Sequence, residues 1–277
     1  MPAEPKFWHL CAMEGKSACN KVAIYFMINF RELCLITLSL PLSALFICFI
    51  TAYIFQQDEI HETHCKVYNV IPSISAITGI SPQRYLWRVC VAFHMGPRVV
   101  IGLVYRAHYR ALLAELPAEL AAGGGAHAQR LLDACFWLYL VEVAAVCGVT
   151  YVSNRENYPV HEKFFILFMM SSVGYMVATV KISKLLRPAM TATEHTSYVI
   201  KKCLLAVTVL SALGLLLFFL KHRLLCHEMA FSWFSLCEYI IATANMAFHV
   251  TVMLDFPTEK LVVAREGRAL APGLKAE

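Results

Sequence analysis

The chain of 277 residues is 59% hydrophobic, only 16% charged, and carries a formal net charge of +5. A soluble domain runs nearer about 45–50% apolar and about 25% charged, so the composition excludes an ordinary water-soluble fold. The apolar residues lie in long blocks, which predicts an all-α, polytopic membrane protein.

Residues 1–32 read as an N-terminal extension holding one short apolar piece, VAIYFMINF. The first strong apolar block, Leu33 to Phe55, begins too late and runs too long for a cleavable signal, so a signal anchor is expected. The following loop, Gln56 to Gln83, has an apolar middle, VIPSISAITGI, expected to dip into the membrane interface. A second span runs from about Tyr85 to Tyr105, and the run ELPAELAAGGGAHAQ after it reads as a Gly/Ala-rich tether. Further spans are predicted at Leu131–Val152, Phe164–Leu186, Cys203–Leu220 and Ala230–Leu254, each near the ~20 residues a membrane helix needs. The chain thus divides into an extension (1–32), a six-span bundle (33–256) and a polar tail (257–277) expected to be disordered.

Six spans put both termini on one side. That side holds 16 of the 24 lysines and arginines, and the opposite loops hold six. Positive charge stays on the cytoplasmic side, so both termini are expected there. Topology thus accounts for the basic balance, and no nucleic-acid partner is expected. Of 11 cysteines, only Cys65 and Cys226 fall in loops assigned to the lumen. They are expected to form a disulfide, the alternative being two free thiols.

Ionisable groups are costly inside a bilayer and normally face the bundle interior. At about 100° per residue, Arg84, Arg88, His94, Arg98 and Tyr105 fall within an arc of about 120° on the second span. Ser235, Glu238, Asn245 and His249 share a face of the sixth span. Cys135, Tyr139 and Glu142 align on the third, and Ser171, Tyr175 and Thr179 on the fourth, with His161 at its mouth. Turned inward, these stripes predict a common cavity where His94, Glu142 and Glu238 meet. The plainer alternative is that the charges pair and hold the helices together. Arg84 and Arg88, at the lumenal end, suit a lipid phosphate, with snorkelling to water as the alternative. His61 and His64 in EIHETHC lack a defined ligand spacing, so no metal or other cofactor is expected. No Walker loop, Gly-x-Ser-x-Gly elbow or His-Glu-x-x-His is present.

Three stretches, THCKVYNVIPSISAITGISPQRYLWRVCVAFHMGPRVV, YVSNRENYPVHEKFF and CEYIIATANMAFHVTVMLDF, resemble the post-GPI attachment to proteins factor 2 family in order and spacing, across about residues 33 to 256. The resemblance implies a Golgi or endoplasmic-reticulum multi-span protein acting in lipid remodelling of GPI anchors. It implies a need for this protein when the lyso-anchor is reacylated at sn-2 with a saturated chain. It does not say whether the family catalyses that step, and no His-x-x-x-x-Asp acyltransferase signature is present.

Two readings follow. In the first, the chain is a lyso-GPI acyltransferase with an unnamed acyl donor. Arg84 and Arg88 hold the inositol phosphate, and His94 is general base. Glu142 or Glu238 orients His94, and Arg98 stabilises the oxyanion. Tyr175, Asn245 and His249 complete the substrate-binding set. The ~15 Å rise from Arg84 to His94 is long for one glycerol backbone. In the second, the chain is a non-catalytic lipid-binding or chaperone subunit for a separate acyltransferase. A lipid transporter or scramblase is a weaker third idea.

Overall fold

The computed structural model describes residues 7–10, 20–115, 118–187 and 189–266. It consists of two units, which are considered separately.

The main unit covers residues 34–255. Its helices are α1 (Phe30–Phe55), the short α2 (Gln57–Ile60) and α3 (Ile74–Thr78), α4 (Gln83–Ala114), α5 (Ala118–Tyr151), α6 (Tyr158–Leu186), α7 (Ala192–Leu225), α8 (Ala230–Val250) and the one-turn α9 (Val252–Asp255). Six segments are long and apolar enough to cross a membrane: 30–55, 83–114, 124–151, 158–186, 192–225 and 230–255. The chain is a multi-pass membrane protein whose main unit is all-α with six spans.

Two helices, α6 and α7, start ahead of their apolar blocks at polar caps. Thr191 and Glu194 form a reciprocal capping box that starts α7 well before its apolar run. Asn157 caps α6 through Val160 N–H, and Pro159 sits where a missing N–H costs nothing. The expected Gly/Ala tether is largely helical: from Ala118 onward it forms the first turns of α5.

Buried positions on α4 recur at helical spacing: Val91, His94, Arg98, Ile101, Gly102 and Tyr105. The opposite face exposes Tyr85, Val89, Phe93 and Leu103, as lipid contact requires. A methyl group at Gly102 would lie 2.5 Å from the Tyr139 ring, so glycine lets α5 close onto α4. The loop between α1 and α4 folds back onto the bundle, packing Ile60, Ile77 and Ile80 against Leu45 and Ala52 of α1.

The second unit is a three-stranded antiparallel sheet ordered β1 (Phe7–Leu10), β2 (Asn20–Asn29), β3 (Lys260–Glu266). Ile28 faces Leu261 and Ala23 faces Arg265 in its register. Phe30 packs edge-on against Phe256 with centroids 5.5 Å apart. The tail read as disordered therefore pairs as a strand up to Glu266. The sequence signal was the β-branched, aromatic run in β2, whose partner lies far along the chain. Residues 1–6, 11–19 and 267–277 of the extension and tail, with Cys11 and Cys19, lie outside the described residues.

Cys65 and Cys226 are joined by a disulfide with Cα atoms 5.4 Å apart, closing a sequence separation of 161. It ties the α2–α3 loop to the α7–α8 turn. Chain entropy sets a ceiling of about 5 kcal/mol for so long a loop, reduced here because the spans stay in the bilayer when they unpack. Cys65→Ser should lower the detergent-solubilised melting temperature by several degrees, and Cys226→Ser by the same amount. The double variant should add nothing beyond either single change.

Candidate functional site

A cavity opens among α1, α4, α5, α6 and α8 with about 970 Å³ of empty space, counting its mouth. Its polar lining is His94, Arg98, His161, Glu238 and Asn245, with Ser75 and Thr78 from the folded-back loop. Its apolar walls include Leu45, Trp87, Val91, Phe165 and Met246.

His94 is buried, and its Nδ1 meets the Thr37 carbonyl at 2.6 Å. A carbonyl only accepts, so Nδ1 carries the proton and the neutral ring presents Nε2 as a lone pair. Nε2 has no hydrogen-bond partner among the described residues. The carbonyl is available for a covalent reason. In an α-helix Thr37 C=O would accept from the N–H four residues on. That residue is Pro41, inside α1, and proline has no N–H. Pro41 also lines the cavity.

Behind this wall sits a buried charged cluster. Arg98 Nη2 donates to Glu142 Oε1 at 3.3 Å. Asn245 Nδ2 donates to the same oxygen at 2.8 Å and to Ser172 Oγ at 2.7 Å. His249 Nε2 lies 3.1 Å from Glu142 Oε1 and 2.8 Å from Arg98 Nη2. A protonated Nε2 donates to the carboxylate, and a bare one accepts from the guanidinium. Tyr139 O–H donates to the Arg98 carbonyl at 2.7 Å, and its ring lies under the guanidinium at 5.1 Å. Tyr175 stacks on His249, centroids 5.5 Å apart at 11°. Glu142 is fully buried, and its Oε2 has no partner among the described residues.

The structure thus brings His94, Arg98, Asn245 and Glu238 to one cavity and sets Glu142, His249 and Tyr175 behind it. It does not place a carboxylate on the His94 ring. Glu142 serves Arg98, Asn245 and His249, whereas Glu238 Oε2 accepts from Ile74 N–H at 2.8 Å. The group that orients His94 is a backbone carbonyl, which a search for side-chain triads overlooks. The sequence signal was Pro41 itself.

Arg84 and Arg88 lie elsewhere. Arg88 Nη2 donates to Glu156 Oε2 at 2.5 Å and to the Tyr151 carbonyl at 2.9 Å, and Arg84 Nη1 reaches Glu156 Oε1 at 3.5 Å. Neither arginine lines the cavity. Glu156 also accepts from the N–H and hydroxyl of Ser153, at 3.0 and 2.9 Å. The S-x-x-E spacing in SNRE is a legible sign of this turn.

A second buried ionic group went unread in the sequence. Asp255 accepts from Tyr105 at 2.6 Å and Ser197 at 2.7 Å, and pairs with Lys201. Arg187 reaches Asp255 at 3.9 Å and Glu194 at 3.4 Å. These contacts join α4, α6, α7 and α9. In the sequence Lys201 reads as one of the basic residues on the side of the termini. No group of three His, Cys, Asp or Glu among the described residues is placed to hold a metal ion.

The Frag1/DRAM/Sfk1/Cwh43P N-terminal domain family matches residues 29–259. A Drosophila melanogaster protein named post-GPI attachment to proteins factor 2-like is 50% identical over 252 residues, covering 90% of this chain and 76% of its own length. The chain belongs to the post-GPI attachment to proteins factor 2 family. A Xenopus tropicalis member named acyltransferase PGAP2 is 35% identical over 87% of this chain and 93% of its own. A Caenorhabditis elegans member, post-GPI attachment to proteins factor 2, is 32% identical over 81% and 84%. No solved structure matches.

Two outcomes test this geometry. Removing one member of a buried ion pair costs about 3–5 kcal/mol, whereas replacing both by apolar groups is often near neutral. Glu142→Leu and Arg98→Met should each sharply lower thermal stability in detergent, and the double variant should regain much of the loss. The second outcome concerns pH. The Ser153 N–H and hydroxyl, with Arg88, hold the Glu156 carboxyl down to about 2. A depressed carboxyl stabilises the fold above its unfolded value, about 4.3, and loses that effect as pH falls toward 2. Wild type should therefore keep a constant stability advantage over Glu156→Gln from pH 7 to 5. The advantage should shrink only below about pH 4.3.

Proposed function

We propose that this protein remodels GPI-anchor lipids, reacylating the sn-2 hydroxyl of the lyso-anchor with a saturated chain in the lumenal leaflet of the Golgi or endoplasmic-reticulum membrane. Both termini lie in the cytoplasm on this reading, and the disulfide faces the lumen, consistent with the Lys and Arg distribution. The printed names of the relatives support the lipid and the reaction class. The observation that carries the reading is the His94 ring, oriented by Thr37 with Nε2 unpartnered in a largely apolar cavity.

The chemistry is acyl transfer from an acyl ester, the donor class proposed. His94 Nε2 takes the proton of the sn-2 hydroxyl as its oxygen bonds to the ester carbonyl carbon. Arg98, held by Glu142, supports the charge that develops on the carbonyl oxygen. The bond to the donor's alkoxy oxygen then breaks, and His94 returns the proton to that leaving group. The products are the reacylated anchor and a lyso donor, with no redox change. Arg84 and Arg88 take the inositol phosphate when it displaces Glu156 from them.

One observation favours a second reading, a non-catalytic subunit that presents the lyso-anchor to a separate acyltransferase. No carboxylate supports His94, and the Arg98 side chain is already bonded to Glu142 and close to His249. Purified protein in liposomes with lyso-anchor and a labelled acyl ester separates the two. Catalysis predicts turnover that His94→Ala abolishes. Pro41→Ala, which restores a competing N–H for Thr37, should lower kcat at least ten-fold and reshape the pH profile while leaving the melting temperature equal or higher. Absent turnover with lyso-anchor binding retained, and weakened by Arg84→Ala, selects the subunit.

A further inference from the structure

A second chamber adjoins the first and has no role in the account above. It lies between the starts of α6 and α8 and the end of α7, with about 880 Å³ of empty space counting its mouth. Ile166, Leu215, Phe219, Phe231 and Phe234 form an apolar wall, and Ser73, Asn154, Tyr158 and Glu162 also line the chamber. Phe234 packs against Phe231 at 5.3 Å and Phe219 at 6.0 Å, making a continuous aromatic surface.

The two chambers share four lining residues: Ser75, His161, Phe165 and Glu238. Three of these are polar and form a collar between the chambers, on the side of the cavity that His94 lines. Two of the collar groups keep unused bonding capacity. Glu238 is 8% exposed, and only its Oε2 is bonded, to Ile74 N–H. The other oxygen has no hydrogen-bond partner among the described residues, and the residue lines both chambers, so this oxygen is open to a polar group there. His161 Nδ1 donates to the Val152 carbonyl at 2.7 Å, and its Nε2 has no hydrogen-bond partner among the described residues.

From this geometry we infer that the second chamber is a binding site for one fatty-acyl chain of a membrane lipid, with the chain's oxygenated end at the Ser75–His161–Glu238 collar. The occupant follows from the surroundings. The chamber lies between membrane spans, where hydrocarbon chains are the solvent. An apolar wall beside a polar collar suits a molecule with a long hydrocarbon part and an oxygenated end. The collar also delivers that end into the cavity already holding His94. This inference rests on the acyl-transfer reading only for the chain's purpose. The chain has two sources, the acyl donor or the chain retained by the lyso-anchor, and both offer the same chemistry to the walls.

Photolabelling in nanodiscs tests the site without needing turnover. One probe is a phosphatidylcholine with a terminal diazirine on its sn-2 chain, and the other is a lysophosphatidylinositol with the diazirine on its single chain. Peptide mapping should find label on Ile166, Leu215, Phe219 or Phe234. Leu215→Trp, which fills the chamber from α7, should cut that label at least five-fold, and Ile166→Trp should do the same from the opposite wall. Label on Leu210 and Leu213, on exposed α7 surface, should not change. His94→Gln should leave the chamber label intact even where it abolishes turnover, so the site and the reaction fail separately. Capture by the diacyl probe assigns the chamber to the donor, and capture by the lyso probe assigns it to the acceptor. Label confined to the outer α7 face, or undiminished by both tryptophans, overturns the inference.

Discussion

A bilayer core offers no water to a charged group, so every ionisable side chain in a span must find its partner within the protein. Arg98 and Glu142 meet that constraint together, and much of the bundle is arranged around them. The carboxylate draws in Asn245 and lies close to His249, both on α8. The guanidinium rests on Tyr139 of α5. Tyr139 fits against α4 only because position 102 has no side chain. One ionic contact thus sets how α4, α5 and α8 approach, and through Ser172 it reaches α6. A buried pair of this kind adds little net stability, but it penalises arrangements that leave either charge alone.

The same constraint recurs near the other end of α4, where Asp255 collects Tyr105, Ser197 and Lys201. It also recurs beside the disulfide-bearing loops, where Glu156 collects Arg84 and Arg88. Three anionic centres at different depths therefore fasten α4 along its length. The space left between the upper and middle fastenings is the His94 cavity. Its polar wall is backed by the Arg98–Glu142 cluster, and its outer walls are ordinary lipid-compatible side chains.

Much of this was legible in the sequence. The stripe through His94, Arg98 and Tyr105 emerged from helical spacing because one face of a lipid-bathed helix must be apolar, and the stripe on α8 emerged likewise. What was not legible has definite causes. The starts of α6 and α7 lie ahead of their apolar blocks because polar caps, not hydropathy, set them. Glu156 was hidden because a loop carboxylate gives no periodic signal. Asp255 sits where a span ends, and Lys201 reads as a flanking charge unless its partner is known. The pairing of β2 with β3 joins segments more than 200 residues apart, and nothing local announces it. Glu142 and Glu238 were grouped by depth, but depth does not show which neighbour each one faces.

The contact between His94 and Thr37 has a consequence for genetics. Its acceptor is main chain, so truncating the threonine to alanine removes no atom of the bond that holds the imidazole. An alanine scan of α1 therefore does not report that bond at position 37. The sensitive position is four residues away, at a proline that touches the histidine through no bond of its own, and the lesion there is the gain of an amide hydrogen.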